Sequence, residues 1–271
     1  MDSKKRTIIV HCHMFKNAGT SLDWSLQRCF GDDFLDHRDG ENMKKGAEYL
    51  GPFLQQHSNL KAISSHHIRF PLPELPNTQM LPAFILRHPI DRVGSVYSFE
   101  RKQEANTPGA INAKKMSFQE YVVWRMEPTV GGVMRNFQTR SCLNKQKNII
   151  REIDFKFAQK RIQKAPLVCL VDNYDECMVL FEQAIRPYYP GIDLSYVRQN
   201  VSKGRESSME KRINKIFSDL GLEVSNEILV NNHWDLQLYL EAKKIIKKSI
   251  SAVSNFTDLI SSFQERCLSH K

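Results

Sequence analysis

Four short apolar runs, each followed by a break and a helical pattern, constrain this chain more than any other feature. Thr7-Ile8-Ile9-Val10-His11-Cys12-His13-Met14 comes almost at once. Lys61-Ala62-Ile63-Ser64-Ser65-His66, Ala83-Phe84-Ile85-Leu86-Arg87 and Leu167-Val168-Cys169-Leu170-Val171 follow. Continuous apolar or β-branched runs of this length read as strands buried on both faces. Helical periods fall between and after them. Leu22, Leu26 and Cys29/Phe30 share one face; Pro89 starts a second helix through Val93, Val96 and Tyr97; Ser117–Met126, Asp175–Ile185, Met209–Leu220 and Leu236–Ile250 read likewise. Alternation of this kind predicts an α/β, three-layer fold, a central parallel sheet flanked by helices. A short helix is expected near Met43–Leu54, and Pro71, Pro73 and Pro76 mark a loop. The stretch 102–115 is hydrophilic around Pro108-Gly109 and reads as a mobile insertion loop. No repeat or linker divides the chain, so residues 1–271 are expected to form a single domain.

Composition excludes several classes. Of 271 residues, 41% are hydrophobic and 25% charged, with Gly 12 and Pro 11, so neither a disordered nor a collagen-like chain is expected. The six cysteines form no CxxC pair, which speaks for free thiols over a zinc site or a disulfide framework. No secretory leader or membrane span is legible, and a cytoplasmic protein is expected. Lys+Arg 39 against Asp+Glu 30 gives +9, a surplus that favours an anionic partner without choosing one.

The loop Phe15 to Ser21 stands where a parallel sheet binds ligands, at the carboxyl end of a strand and before a helix, with Thr20 or Ser21 as the expected N-cap. Unpaired amides and the helix dipole make such a place an anion site. Gly19 lets the backbone come close to a phosphate, Thr20 and Ser21 add hydroxyls, and Lys16 adds a charge. Lys16 to Ser21, Asn17 and Ala18 included, therefore reads as a phosphate cradle. A nucleoside-triphosphatase loop would be GxxxxGK[ST]; here the lysine precedes the glycine. Asp172 is the one strand-end carboxylate that suits a magnesium-binding role. His11 and His13 share a strand face, but no third ligand is spaced with them, so no metal site is expected and they read as core or cleft-lining residues.

His13-Met14-Phe15-Lys16-Asn17-Ala18-Gly19-Thr20-Ser21 resembles the 5′-phosphosulfate loop of sulfotransferases that use 3′-phosphoadenylyl sulfate (PAPS). In their carbohydrate branch it commonly reads P-K-T-[AG]-[GS]-T-[ST]; Phe15 and Asn17 depart from it. Leu86-Arg87-His88-Pro89-Ile90-Asp91-Arg92-Val93-Gly94-Ser95-Val96-Tyr97 is similar to the 3′-phosphate signature R-[DH]-P-x-x-R-x-x-S-x-[YF]. Arg87 can fork onto a phosphate, and Ser95, two helical turns on, can reach the same group. Arg92 reads as structural. Asn136 to Leu143, Val168 to Glu176, Asn200 to Arg205 and Asn232 to Tyr239 resemble further segments of the carbohydrate branch. The overall pattern is nearest to the heparan sulfate 2-O- and 6-O-type enzymes and bacterial relatives.

The resemblance implies a P-loop-like domain that moves a sulfuryl group from PAPS to a hydroxyl of a carbohydrate or glycolipid acceptor, anionic acceptors included. It leaves adenosine 3′,5′-bisphosphate (PAP) and needs no metal and no nucleic acid. Lys16 stabilises the leaving phosphate; the loop, Arg87 and Ser95 hold the nucleotide. Arg140, Ser202 and Arg205 hold nucleotide or acceptor, or are solvated charges. The family's base motif falls on Ser65-His66-His67-Ile68-Arg69-Phe70; aligning on Phe70 favours His67 as general base, with His66 the alternative. Two other functions fit the same loop: a kinase-like, nucleotide-dependent phosphotransferase and a non-catalytic polyanion-binding module.

Overall fold

Ile8, Ile9 and Val10 are each at most 1% exposed, so the first strand is sealed on both faces, as its unbroken apolar run requires. The computed structural model describes residues 5–143, 149–197, 206 and 208–270. The chain runs β1 (Arg6–Cys12), α1 (Gly19–Phe30), β2 (Phe34–Asp36), α2 (Gly40–Met43), α3 (Ala47–Gln56), β3 (Ala62–Ser65), β4 (Thr78–Leu86), α4 (Pro89–Lys102), α5 (Pro108–Lys115) and α6 (Phe118–Met126). It continues through α7 (Phe137–Ser141), α8 (Glu152–Lys164), β5 (Leu167–Leu170), α9 (Tyr174–Ile185), α10 (Met209–Asn231), α11 (His233–Ser251) and α12 (Phe256–Leu268). The strands form one all-parallel sheet in the order β2-β3-β1-β4-β5, flanked by helices, which is the expected three-layer α/β architecture.

The register brings three strand tips level. Cys12 lies opposite Ser65 of β3 and Phe84 of β4, so the segments leaving β1, β3 and β4 emerge side by side. The connection from β1 leads toward β3 and β2, whereas the one from β4 leads the other way, to β5. The carboxyl ends of β1 and β4 therefore border a topological switch point, where open α/β sheets bind ligands. The main core surrounds the sheet. A second apolar cluster joins α4, α5, α6 and α10 through Val93, Ala113, Tyr121 and Ile228.

Residues 102–115 correct the expectation of a loop, because 108–115 are helical. Thr107 caps α5, its hydroxyl accepting the Ala110 N–H at 3.3 Å, and Pro108 occupies the first turn. Pro-Gly here is a helix start, with Ala110 and Ala113 buried beneath it. The helix expected near Met43–Leu54 is two, α2 and α3, divided at Gly46, whose φ is +67°. The short edge strand β2 and the helices α8 and α12 carried little signal: α12 fully buries only Phe263, and α8 only Asp154, Ala158 and Ile162. Among the described residues, no helix is long and apolar enough to cross a membrane.

Candidate anion site at the strand tips

The loop after β1 has an unusual backbone. Lys16 (φ +65°) and Ala18 (φ +58°) are both left-handed, a conformation that costs non-glycine residues energy and gathers at functional sites. Alternation of left- and right-handed residues turns successive amides inward into an anion-binding concavity. Helix α1 begins at Gly19, with left-handed Ala18 as its N-cap and no side-chain cap, so the expected cap at Thr20 or Ser21 is corrected. Of the first-turn amides, that of Ser21 donates to the Ala18 carbonyl at 3.3 Å.

Not every loop residue faces that concavity. The Asn17 side chain is buried and turned inward: its Nδ2 donates to the Ile85 carbonyl at 2.8 Å and to Gln138 Oε1 at 2.7 Å. Asn17 is a strut between the loop and β4, and its main-chain N–H donates to the Met14 carbonyl at 3.2 Å. Gln138 completes the strut: its Oε1 also accepts the Arg87 N–H at 2.8 Å, and its Nε2 donates to the Arg87 carbonyl at 2.9 Å. The motif segments around Asn136 and Asn232 support Gln138. Asp235 accepts the Gln138 and Thr139 amides at 2.9 and 2.7 Å, while Asn136 Oδ1 accepts the Trp234 and Asp235 amides at 3.0 and 3.1 Å. Each segment thus caps the other's helix.

Gly19 also has a role the sequence did not indicate. A Cβ there would meet His13 Cδ2 at 2.5 Å, His13 Nε2 at 2.7 Å and His11 Cε1 at 2.8 Å. The space that a side chain would fill at position 19 is held by two imidazoles.

At the β4 tip, Arg87 is only 7% exposed. Its Nε pairs with Asp91 at 2.7 Å and its Nη1 donates to the Lys16 carbonyl at 3.1 Å, which ties the tip of β4 to the loop. Arg212 of α10, which sequence reasoning missed, joins the same carboxylate at 2.7 Å. Burial alone would raise the Asp91 carboxyl, but Arg87 and Arg212 hold it down at about 2. Arg92, fully buried, donates to the carbonyls of Phe15 (3.0 Å) and Val133 (2.6 Å) and stacks on Phe137, so its structural role extends beyond its own helix to the loop. Burial pushes its guanidinium down to about 9.

Ser95 and Phe99 lie one turn apart on α4, and the Lys16 ammonium sits 4.3 Å above the Phe99 ring. A cleft of about 570 Å3 opens beside Phe99, lined by Phe15, Phe99 and Trp124 among others; neither Lys16 nor Ser95 lines it. Arg140 donates to the carbonyls of Gly132 (3.2 Å) and Arg135 (3.1 Å), so it is tied to the backbone and is not a freely solvated charge. Ser202 and Arg205 lie outside the described residues.

The histidines divide between the two sides of β3. His67 points at α2, its Nε2 lying 2.7 Å from where a Cβ on Gly40 would be. His66 turns toward β1: its ring packs 4.2 Å from that of His13, and its Nδ1–H donates to the His13 carbonyl at 2.6 Å. Partial desolvation, and then His13 nearby, hold His66 below the ordinary histidine value; desolvation and then Arg69 do the same for His67.

His11 and His13 do acquire a third polar partner, which corrects the expectation that none accompanies them. Asp23, from the first turns of α1, accepts from Nδ1 of both at 2.7 Å, one on each oxygen. Burial alone would raise the Asp23 carboxyl, but the two histidines hold it far below the usual carboxylate range. The rings are stacked, 20° from parallel with centroids 5.0 Å apart. The ligand atoms of His11, His13 and Asp23 all lie within 4.8 Å of one another.

No family model matches the chain. An uncharacterized protein from Archaeoglobus fulgidus is 29% identical over 257 residues, 90% of this chain and 98% of that protein.

Proposed function

We propose that this protein is a PAPS-dependent O-sulfotransferase acting on a carbohydrate or glycolipid hydroxyl. One observation carries the reading: the adjacent tips of β3, β1 and β4 present, in that order, a histidine, an amide-lined loop with a lysine, and an arginine beside a serine-bearing helix. A transfer between a nucleotide and an alcohol calls for a proton acceptor, a seat for the departing phosphate and an anchor for the nucleotide, in that spatial order.

The loop fits a phosphate. Two left-handed residues shape the loop, α1 begins directly after it without a side-chain cap, and Thr20 is exposed at its edge. The donor supplies an activated sulfuryl group. The protein's own part is to hold and neutralise. Lys16 and the loop amides stabilise the charge that builds on the leaving phosphate oxygen. Arg87 and Ser95 bind the 3′-phosphate. His66 is the better placed base: its Nδ1 is engaged by the His13 carbonyl, so Nε2 carries the lone pair, and it takes the acceptor proton as the new S–O bond forms. His67, preferred from the motif alignment, faces α2 instead.

The kinase-like reading receives less support. Asp172 accepts the Tyr239 hydroxyl at 2.7 Å and lies 3.9 Å from Arg212, so its oxygens are already engaged. Calorimetry with PAP separates the readings. Micromolar affinity, about −8 kcal/mol, is expected for the wild type and is lost in Arg87→Ala; transfer from PAPS persists in chelator. Absence of PAP binding to the wild type refutes the proposal. Binding that is indifferent to the nucleotide and collapses with salt favours the polyanion-binding module.

A further inference from the structure

A line of polar groups runs from the interior of the sheet to its tip. Ser64 Oγ lies 3.1 Å from His11 Nδ1, His11 and His13 each donate Nδ1–H to Asp23, and the His13 carbonyl accepts the His66 Nδ1–H. An ionised carboxylate only accepts, so both imidazoles must carry their proton on Nδ1. The same logic at the His13 carbonyl fixes His66 as the Nδ1–H tautomer, with Nε2 bare. His11 is wholly buried and anchors the inner end, while His66 lies exposed at the outer end.

We propose that Asp23 and His13 are positioning residues for His66: Asp23 clamps the His13 ring, and His13 sets both the plane and the tautomer of His66. This rests on His66 being the proton acceptor of the proposed reaction. The ring of His13 packs against His66, centroids 4.2 Å apart and planes tilted 43°, and so limits how that ring can turn, while its main-chain carbonyl supplies the tautomer. Gly19 is part of the device, since any side chain there would displace both clamped rings. The titratable groups facing His66 are His13, Asp23 and Asp36, with His67 its chain neighbour. Burial first, and then His13, hold His66 below the ordinary histidine value, while Asp36 and Asp23 act the other way.

The test is nitrogen-15 spectroscopy of the histidine rings in the full chain, with His66→Gln to assign the signal. Neutral His66 is expected to carry its proton on Nδ1, opposite to the tautomer that free histidine favours. Asp23→Asn and His13→Gln keep the His13 carbonyl but loosen or remove the ring that holds His66 against it, so the His66 ring turns off the carbonyl and the Nε2–H form gains population; in His13→Gln the His66 titration midpoint also moves up. In both variants kcat for PAPS falls about 10–100-fold while the Kd for PAP is unchanged. A merely structural contact would move neither tautomer nor midpoint. The proposal is overturned if wild-type His66 carries its proton on Nε2, a result that needs no variant to fold. It is also overturned if folded variants keep the wild-type tautomer and kcat. The ring measurement uses no donor, so a chain with the expected tautomer but no PAP affinity defeats the sulfotransfer reading and leaves the positioning line standing.

Discussion

Gly19→Ala discriminates between two reasons for a glycine in the loop. If the glycine is there to let a phosphate approach, the added methyl harms nucleotide binding and leaves the free protein unaffected. The structure predicts the reverse emphasis. The Cβ would stand 2.5 Å from His13 Cδ2 and 2.8 Å from His11 Cε1, well inside contact distance. The φ of Gly19 is not positive, so backbone strain adds nothing. His11 is wholly buried and cannot swing away, and His13 is held by Asp23 at 2.7 Å. Overpacking of this kind costs about 1–3 kcal/mol. For a chain of this size that is a drop in Tm of about 2–12 °C. Thermal unfolding of the nucleotide-free protein, followed by circular dichroism, measures it. His13→Ala in the same chain removes the closest obstacle, so the double variant should lose less than the sum of the two single ones. An unchanged Tm for Gly19→Ala, or strict additivity in the cycle, refutes the reasoning.

Three further outcomes are expected. Gln138→Leu strands the buried Arg87 amide and carbonyl, at about 1–3 kcal/mol for each; chemical denaturation should show the loss, and PAP affinity should fall with it as the β4 tip loosens. Asp91 titrates at about 2 in place of its ordinary 3.8, which corresponds to about 2 kcal/mol of stability that is fully present above pH 3.8 and lost as pH falls through 2; Asp91→Asn should flatten that part of the acid-unfolding curve and lower stability at neutral pH. Lys16→Ala should leave the unfolding free energy within about 0.5 kcal/mol of the wild type, because the side chain is only half-buried, yet reduce kcat for PAPS about 100-fold or more; equal kcat would remove the lysine from the reaction.

Much of the framework was legible because burial leaves a periodic record. The runs at Ile8, Ile63, Phe84 and Val168 are central or paired strands, and they place the loop and Arg87 at neighbouring tips. Weak records misled or were silent where an element buries little, as in β2 and α12, or where one signal has two meanings, as with Pro108-Gly109. The lysine loop and the arginine at a strand end were read from local pattern, and both stand at the tips of neighbouring parallel strands.

The linear order of residues determined the sheet, the loop and the set of chemically capable groups. It did not determine which way those groups turn. Asn17 faces inward because Gln138, 121 residues away, waits there for its amide. Arg140 is consumed by carbonyls of the 132–135 loop. His66 rather than His67 faces the loop, because β3 pairs with β1 so that the carbonyl of His13 meets the ring of His66. Side-chain direction in a loop is set by whichever partner satisfies its polar atoms, and those partners are assembled only when distant segments pack.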